Sequence, residues 1–289
     1  MAEIIQKDGT WSFDGDSVRI VPGSDKSVGV LRQALGELNV PLEAVAGVSY
    51  EPGRKSGRLR LRLRSGADPL LQLAGGRLKE SWDPYSLGVD ADRAGVAEYF
   101  VDEVRNALLI EQIGSEQVDR YLMPGPAVPI TASAGDGTAE FDGEQIRLSW
   151  NWKTEDAKAS GGPRTIGIGD VEAVDWLPAA TLESGHLRFT LTRIRSSAPA
   201  KHDPHAIDLW GFRKDPLMGL VGAAVVARLP HPYAAKTAPA PELTKAPSAP
   251  AEDHDTLLRR LRELGELHRS GILTDEEFSA AKQAVLKRL

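Results

Sequence analysis

Arg58, Arg60, Arg62 and Arg64 occupy every second position, with Leu59, Leu61 and Leu63 between them and Arg54 and Lys55 just upstream. In a β-strand, alternate side chains point to opposite faces. The pattern therefore predicts a strand whose leucines enter a core and whose four arginines share the other face. Arg54 and Lys55 fall in the preceding turn. Of these neighbours only Glu51 is acidic. Such a face attracts phosphates or an anionic membrane, at about 1 kcal/mol per basic residue near the surface. An acidic protein would serve as well, and so would acids on neighbouring strands that pair with the arginines internally.

Histidine is the commonest general base. The six histidines are His186, His202, His205, His231, His254 and His268. His202-Asp203-Pro204-His205 is their one cluster, and two histidines with an aspartate can contribute to a metal site. The sequence context favours a loop before a strand at Ile207–Trp210. Ile166-Gly-Ile-Gly169 lacks the spacing of a nucleotide fingerprint, and no nucleophile elbow, zincin motif or Walker lysine occurs. The chain has no cysteine, which removes thiolate ligands and thiol nucleophiles. The expectation is a protein that is not an enzyme, with no catalytic, cofactor-binding or metal-binding residues. The net charge of -6 argues against nucleic acid as a partner. Trp150 and Trp152 are expected to share one strand face and give it an aromatic character.

The elements that would position these residues come in duplicate. Residues 9–20, GTWSFDGDSVRI, match residues 137–148, GTAEFDGEQIRL, at six of twelve positions. Val45–Pro52 aligns with Val171–Pro178, and Ser56–Leu61 with Ser184–Phe189. The repeated span is far longer than a solenoid unit, so whole domains are repeated. In each copy Phe-Asp-Gly sits between alternating strands, a hairpin signal because the tight turn wants positive φ. This makes Asp14 and Asp142 turn residues rather than catalytic carboxylates. A strand follows at Val45–Tyr50 or Val171–Leu177, then a strongly alternating one at Leu59–Leu63 or Leu187–Leu191.

Each copy then ends in a helix. Val96, Phe100, Val104 and Leu108 recur every four residues and share one helical face over about 90–109. Leu217, Leu220, Val221, Ala224 and Val225 form the stripe of the second helix, over about 216–229. The segment from Ser27 to Asn39 fits helix and strand equally. The chain is thus expected to be mainly β with some α: domain one over 1–120, domain two over 126–229, a linker over 230–252 and a C-terminal module over 253–289. The linker has prolines at 230, 232, 239, 241, 247 and 250, and is expected to be extended.

The C-terminal module reads as a helical hairpin. Leu257, Leu258, Leu261, Leu264 and Leu267 lie on one face, and Ser270-Gly271 ends the first helix. Thr274-Asp-Glu-Glu277 is a capping box, and Leu273 with Phe278 forms a hydrophobic staple. Phe278, Ala281, Val285 and Leu289 continue the second helix. Some 35 residues in two helices bury too little to stand alone. Leu261, Leu264, Ile272, Phe278 and Val285 are therefore the candidate contacts with a second copy or another protein, and docking onto the chain's own domains is the competing outcome.

The repeated Phe-Asp-Gly-x-x-Val/Ile-Arg-Ile/Leu, the segment Val40-Pro-Leu-x-Ala-Val-Ala-Gly-Val48 and the closing helices resemble a bacterial family with tandem pleckstrin-homology-like (PH-like) domains of unknown function. That resemblance implies a split β-barrel for each copy, closed by its C-terminal helix, and brings no activity with it. Leu264, Gly271, Ile272, Thr274, Glu276, Glu277, Phe278 and Lys282 resemble the SHOCT (short C-terminal) module. This second resemblance implies oligomerisation or protein–protein contact. The expected function is thus a non-enzymatic scaffold or interaction protein. Peripheral binding to an anionic membrane through the arginine face is the alternative. The lack of cysteine and of a signal-peptide pattern suits the cytoplasm.

Overall fold

The computed structural model describes residues 1–26, 28–180, 183–194 and 196–234, and within the C-terminal stretch residues 265, 266, 268, 269, 274, 278, 279, 282 and 283. The chain divides into two compact units, Met1–Ala235 and Lys236–Leu289. The first unit contains both copies of the repeat as similar halves of mostly antiparallel sheet.

In the first half, β1 (Ala2–Gln6), β2 (Gly9–Phe13), β3 (Ser17–Pro22) and β4 (Leu38–Pro41) form one antiparallel sheet in that order. β5 (Val45–Glu51), β6 (Ser56–Leu63) and β7 (Ser86–Asp90) form a second. Helix α1 (Val30–Leu35) precedes β4, α2 (Pro69–Ala74) lies between β6 and β7, and α3 (Ala94–Ile110) closes the half. The ambiguous segment is both things in turn, since Gly36 at φ 69° stops α1 and frees the chain for β4.

The second half repeats the frame. β8 (Ile130–Ala134), β9 (Gly137–Phe141), β10 (Gln145–Trp150) and β11 (Arg164–Gly167) make its four-stranded sheet. β12 (Val171–Leu177), β13 (Gly185–Leu191) and β14 (Ala206–Leu209) make the three-stranded one. Helix α4 (Asp156–Ala159) precedes β11, and α5 (Leu217–Val226) closes the half. The copies share irregularities too. The β5–β6 register shifts between Val45 and Gly47, and the β12–β13 register shifts between Val171 and Ala173.

The Asp-Gly turns work as their chemistry suggests. Asp14 Oδ1 accepts from the Asp16 and Ser17 amides at 3.0 and 2.8 Å. Asp142 Oδ1 accepts from Glu144 and Gln145 at 2.8 and 2.7 Å. The next residue, Gly15 or Gly143, takes φ 116° or 115°. These amide bonds hold both carboxyls below the usual aspartate range, Ser17 and Gln145 being the main donors.

Two hydrophobic cores result, and they do not follow the repeat boundary. The first is built within the first half. Trp11 and Phe100 lie fully buried at its centre, with ring centroids 6.2 Å apart. Helix α3 buries Ala97, Phe100, Val101 and Val104, while Val96 and Leu108 sit at the margin. The second core belongs to the second half but takes in Leu31 of α1 and Leu70, Leu73 and Ala74 of α2. Every residue of α5 from Met218 to Val226 is buried. A helix apolar all round must be covered all round. One side meets its own sheets and the other meets α2. Gly219 makes room for Trp176, whose ring lies 2.9 Å from where a Cβ would stand, and Gly222 does the same for Leu73 at 2.7 Å.

Further ties join the halves. Arg77 pairs with Asp175 at 3.1 Å, and the Trp82 and Trp176 rings lie 6.4 Å apart. His231 Nε2 donates to the Gly66 carbonyl at 2.9 Å while its ring meets the edges of Tyr121 and Tyr233. No helix among the described residues is long and apolar enough to cross a membrane. In the second unit, residues 265, 266, 268 and 269 are helical, as are 278, 279, 282 and 283. The Phe278 amide donates to the Thr274 carbonyl at 2.9 Å, the i to i−4 bond of a helix's first turn.

Candidate functional site

The arginine strand is β6. Leu59, Leu61 and Leu63 are buried in the first core, and the arginines alternate outward. The six cations do not form one free patch. Arg58 Nη2 lies 3.0 Å from Glu80 Oε1, and Arg60 reaches the same oxygen at 3.4 Å. Arg64 donates to the Glu116 carbonyl at 2.8 Å and the Glu43 carbonyl at 3.2 Å. Arg62, Arg54 and Lys55 are exposed, and no ion pair or side-chain hydrogen bond to another described residue is formed by them. Glu51 is the cross-strand neighbour of Arg58, yet the ion pair forms with Glu80, which the chain brings back in a short helical turn over Glu80–Trp82. The pairing is tertiary, so strand spacing alone does not reveal it.

The equivalent face on β13 is occupied differently. His186 Nε2 and Arg77 both contact the Asp175 carboxylate, at 2.8 and 3.1 Å. Arg188 pairs with buried Asp203 at 3.2 Å and donates to the Ala198 carbonyl at 2.7 Å. That places the His202–His205 cluster. Asp203 faces Arg188 and caps its own turn through the His205 amide at 2.9 Å, while His202 stays exposed. Burial pushes His205 below the ordinary histidine range and nearby Arg164 adds to this, with Asp203 pulling the other way. No group of three or more potential metal ligands occurs among the described residues.

Two other buried polar groups had no signal in the sequence. Lys158 of α4 has a fully covered side chain, with Nζ 2.6 Å from Asp136 Oδ2. It also donates to the Ala200 carbonyl at 3.1 Å and lies 4.4 Å from the Trp150 ring centroid. Asp136 Oδ1 takes the Asp208 amide at 2.8 Å. Burial pushes the Asp136 carboxyl up, and the Lys158 ammonium pulls it back. Asp68 caps α2 by accepting from the Leu70 amide at 2.9 Å and takes the Tyr85 hydroxyl at 2.8 Å. Burial raises both of these groups. They line a recess of about 270 Å³ with Leu35, Leu70 and Met123, where their hydrogen bonds go to each other and to α2. Each of these groups ties elements together.

The tryptophans divide. Trp11 and Trp176 are core residues, and Trp82 and Trp150 are partly buried. The expectation that Trp150 and Trp152 share a strand face is corrected. β10 ends at Trp150, and the chain then turns, with the Thr154 amide on the Asn151 carbonyl at 3.1 Å and the Lys153 amide on Asn151 Oδ1 at 2.9 Å. Asn151 is the turn-forming residue that breaks the alternation. Trp152 projects into solvent, and Lys153 Nζ lies 5.3 Å from its ring and from that of Phe212, a residue that sequence patterning did not single out.

Of the expected association residues, Phe278 is described, and Leu261, Leu264, Ile272 and Val285 lie outside the described residues. Phe278 is partly buried and stacks on His268, with centroids 4.6 Å apart and planes inclined by 20°. The two helical stretches therefore meet through these rings.

Comparison with known families agrees with the duplicated frame. The family described as domain of unknown function (DUF4429) matches twice, over residues 11–105 and 139–226. The short C-terminal domain, SHOCT, matches over residues 259–286. None of the curated proteins matches the chain.

Proposed function

We propose, for a chain that belongs to the DUF4429 family and carries that domain twice, that it is a non-enzymatic interaction protein that associates through its short C-terminal domain. In this reading each half is a PH-like split barrel, with four and three strands and a closing helix, α3 or α5. The barrels are the platform, and the hairpin over 253–289 contacts a second copy or a protein partner in the cytoplasm. No cofactor and no nucleic acid enters.

The observation that carries the reading is the Phe278–His268 stack. It brings two short helical stretches together while leaving Phe278 only partly covered. A two-helix hairpin of this length needs a further apolar surface to be stable. The polar groups of the barrels support the same reading, because Asp14, Asp142, Asp68, Asp136 and Asp203 are each held in turns, caps or ion pairs. Replacing Phe278 with Asp in the full chain is expected to lower the association constant at least about tenfold, since a charge then meets the apolar contact. Sedimentation velocity over a concentration series reads this out. An unchanged distribution would remove Phe278 from the interface.

A further inference from the structure

Two loops of the second half carry large aromatic rings into solvent. Trp152, after β10, is 88% exposed, and Phe212, after β14, is 58% exposed. Lys153 sits among them, with Nζ 5.3 Å from the Trp152 ring, 5.4 Å from Trp210 and 5.3 Å from Phe212. Arg213 and Lys214 follow in the second loop, both exposed. Neither they nor Lys153 forms an ion pair with another described residue. Beside Phe212 lies an open groove of about 530 Å³, whose lining includes Asn151, Lys153, Arg213, Lys214 and the buried Asp215.

The loops are built to hold these rings out. Asp215 is buried, and its Oδ2 accepts from the amides of Trp210, Gly211 and Phe212 at 2.9, 2.7 and 3.1 Å. Gly211 supplies the φ of 86° that the turn requires. The other loop is fixed by Asn151, as described above.

The duplicated frame does not demand this chemistry. Gly57 opposes Val89 in the first half, as Gly185 opposes Leu209 in the second. Trp210 and Phe212 thus stand where the first half has Asp90 and Asp92. By the same register, Trp152 and Lys153 stand where it has Ser24 and Asp25. At these positions the first half carries Asp25, Asp90 and Asp92 where the second carries Lys153, Trp210 and Phe212, while Arg213 falls opposite Arg93. Clustered exposed rings mark contact surfaces.

We infer that this aromatic and cationic tip docks on an anionic lipid bilayer. Trp152 and Phe212 enter the headgroup region, where tryptophan's amphipathic ring is favoured. Lys153, Arg213 and Lys214 meet the lipid phosphates. The rings project outward beside Lys153, Arg213 and Lys214, so that apolar ring and cation reach the same surface together, the pairing that a headgroup layer over anionic lipid accepts. In these loops Asp215 is buried with Oδ2 on backbone amides, Asp208 is buried and accepts from the Trp210 indole at 2.6 Å, and the exposed acids Glu155 and Asp156 lie at the start of α4.

The test uses the full chain and two vesicle preparations, phosphatidylcholine alone and phosphatidylcholine with phosphatidylglycerol in equal parts. Sedimentation is expected with the second only, weakening with salt, with a blue shift of tryptophan emission. Trp152→Ser with Phe212→Ser is expected to weaken binding at least about tenfold. Lys153→Gln, Arg213→Gln and Lys214→Gln together should weaken it on the order of a hundredfold, from about fivefold per cation. Arg54→Gln, Lys55→Gln and Arg62→Gln should leave it nearly unchanged. Should a loop variant melt early, quenching of the intact chain's tryptophan emission by brominated lipids decides the matter, and no quenching overturns the inference. Failure to bind the anionic vesicles overturns it, and so does binding that survives both loop variants. Binding lost only in the β6 variants would move the site to the arginine strand. Equal binding to soluble polyglutamate, lost in the same loop variants, would make the partner an acidic protein instead.

Discussion

Lys158→Met is expected to destabilise the first unit by about 3–5 kcal/mol, the usual range when one member of a buried ion pair is removed. The Lys158 side chain is fully covered and that of Asp136 is 3% exposed. Water cannot replace the ammonium there. The carboxylate would keep only the Asp208 amide at 2.8 Å, and Lys158 would lose its tie to the Ala200 carbonyl. That pair fastens α4, the turn before β9, the end of β14 and the 3₁₀ turn over Ala200–His202. The sign of the pH dependence follows from Asp136. Burial already raises its folded pKa above 3.8, and loss of Lys158 raises it further. A raised carboxyl penalises the fold while it is charged. The deficit of the variant should therefore be largest near neutral pH and shrink as pH falls through the raised folded pKa, where the folded state is protonated. Denaturant unfolding at neutral and mildly acidic pH measures both effects. A loss below about 1 kcal/mol at neutral pH would mean that the site relaxes and admits water.

Trp176→Ala is expected to cost a similar amount, about 3–5 kcal/mol for a large aromatic removed from a core. The ring is fully buried, packs within 2.9 Å of the position a Cβ of Gly219 would take, and faces Trp82 of the first half. Its loss loosens α5, the helix on which Leu70, Leu73 and Ala74 also rest. The two halves should therefore melt together in the native chain and remain coupled in the variant, with both shifted downward. Calorimetry resolves this. A first-half transition that stays at the native temperature while the second half moves would contradict the shared core.

The strand frame was legible because β structure has a period of two and the chain states it twice. The leucines of β6 face the core as alternation requires, and both Asp-Gly turns carry the expected hydrogen bonds. The long periodic helix α3 was equally plain. What the residues did not disclose is long-range. Helix α2 carries Leu70, Leu71 and Leu73 within six residues, too few for a helical period to stand out, and its apolar face serves the other half's core. The pairing of Arg58 and Arg60 with Glu80 depends on a turn folding back 20 residues downstream. The exposure of Trp152 depends on a chain reversal at Asn151, where the sequence itself continues to alternate. The candidate surfaces shifted for these reasons. Internal partners now hold half of the arginine patch, and the exposed aromatics lie on loops that sequence patterning reads only as connections.

The claim of association through the C-terminal hairpin is tested most directly by light scattering on the full chain and on the chain lacking residues 253–289, at matched concentrations. The full chain is expected to have a mass of at least two protomers, against 31.2 kDa for one, and the shortened chain the mass of a single protomer. Equal numbers of protomers in both samples would contradict it.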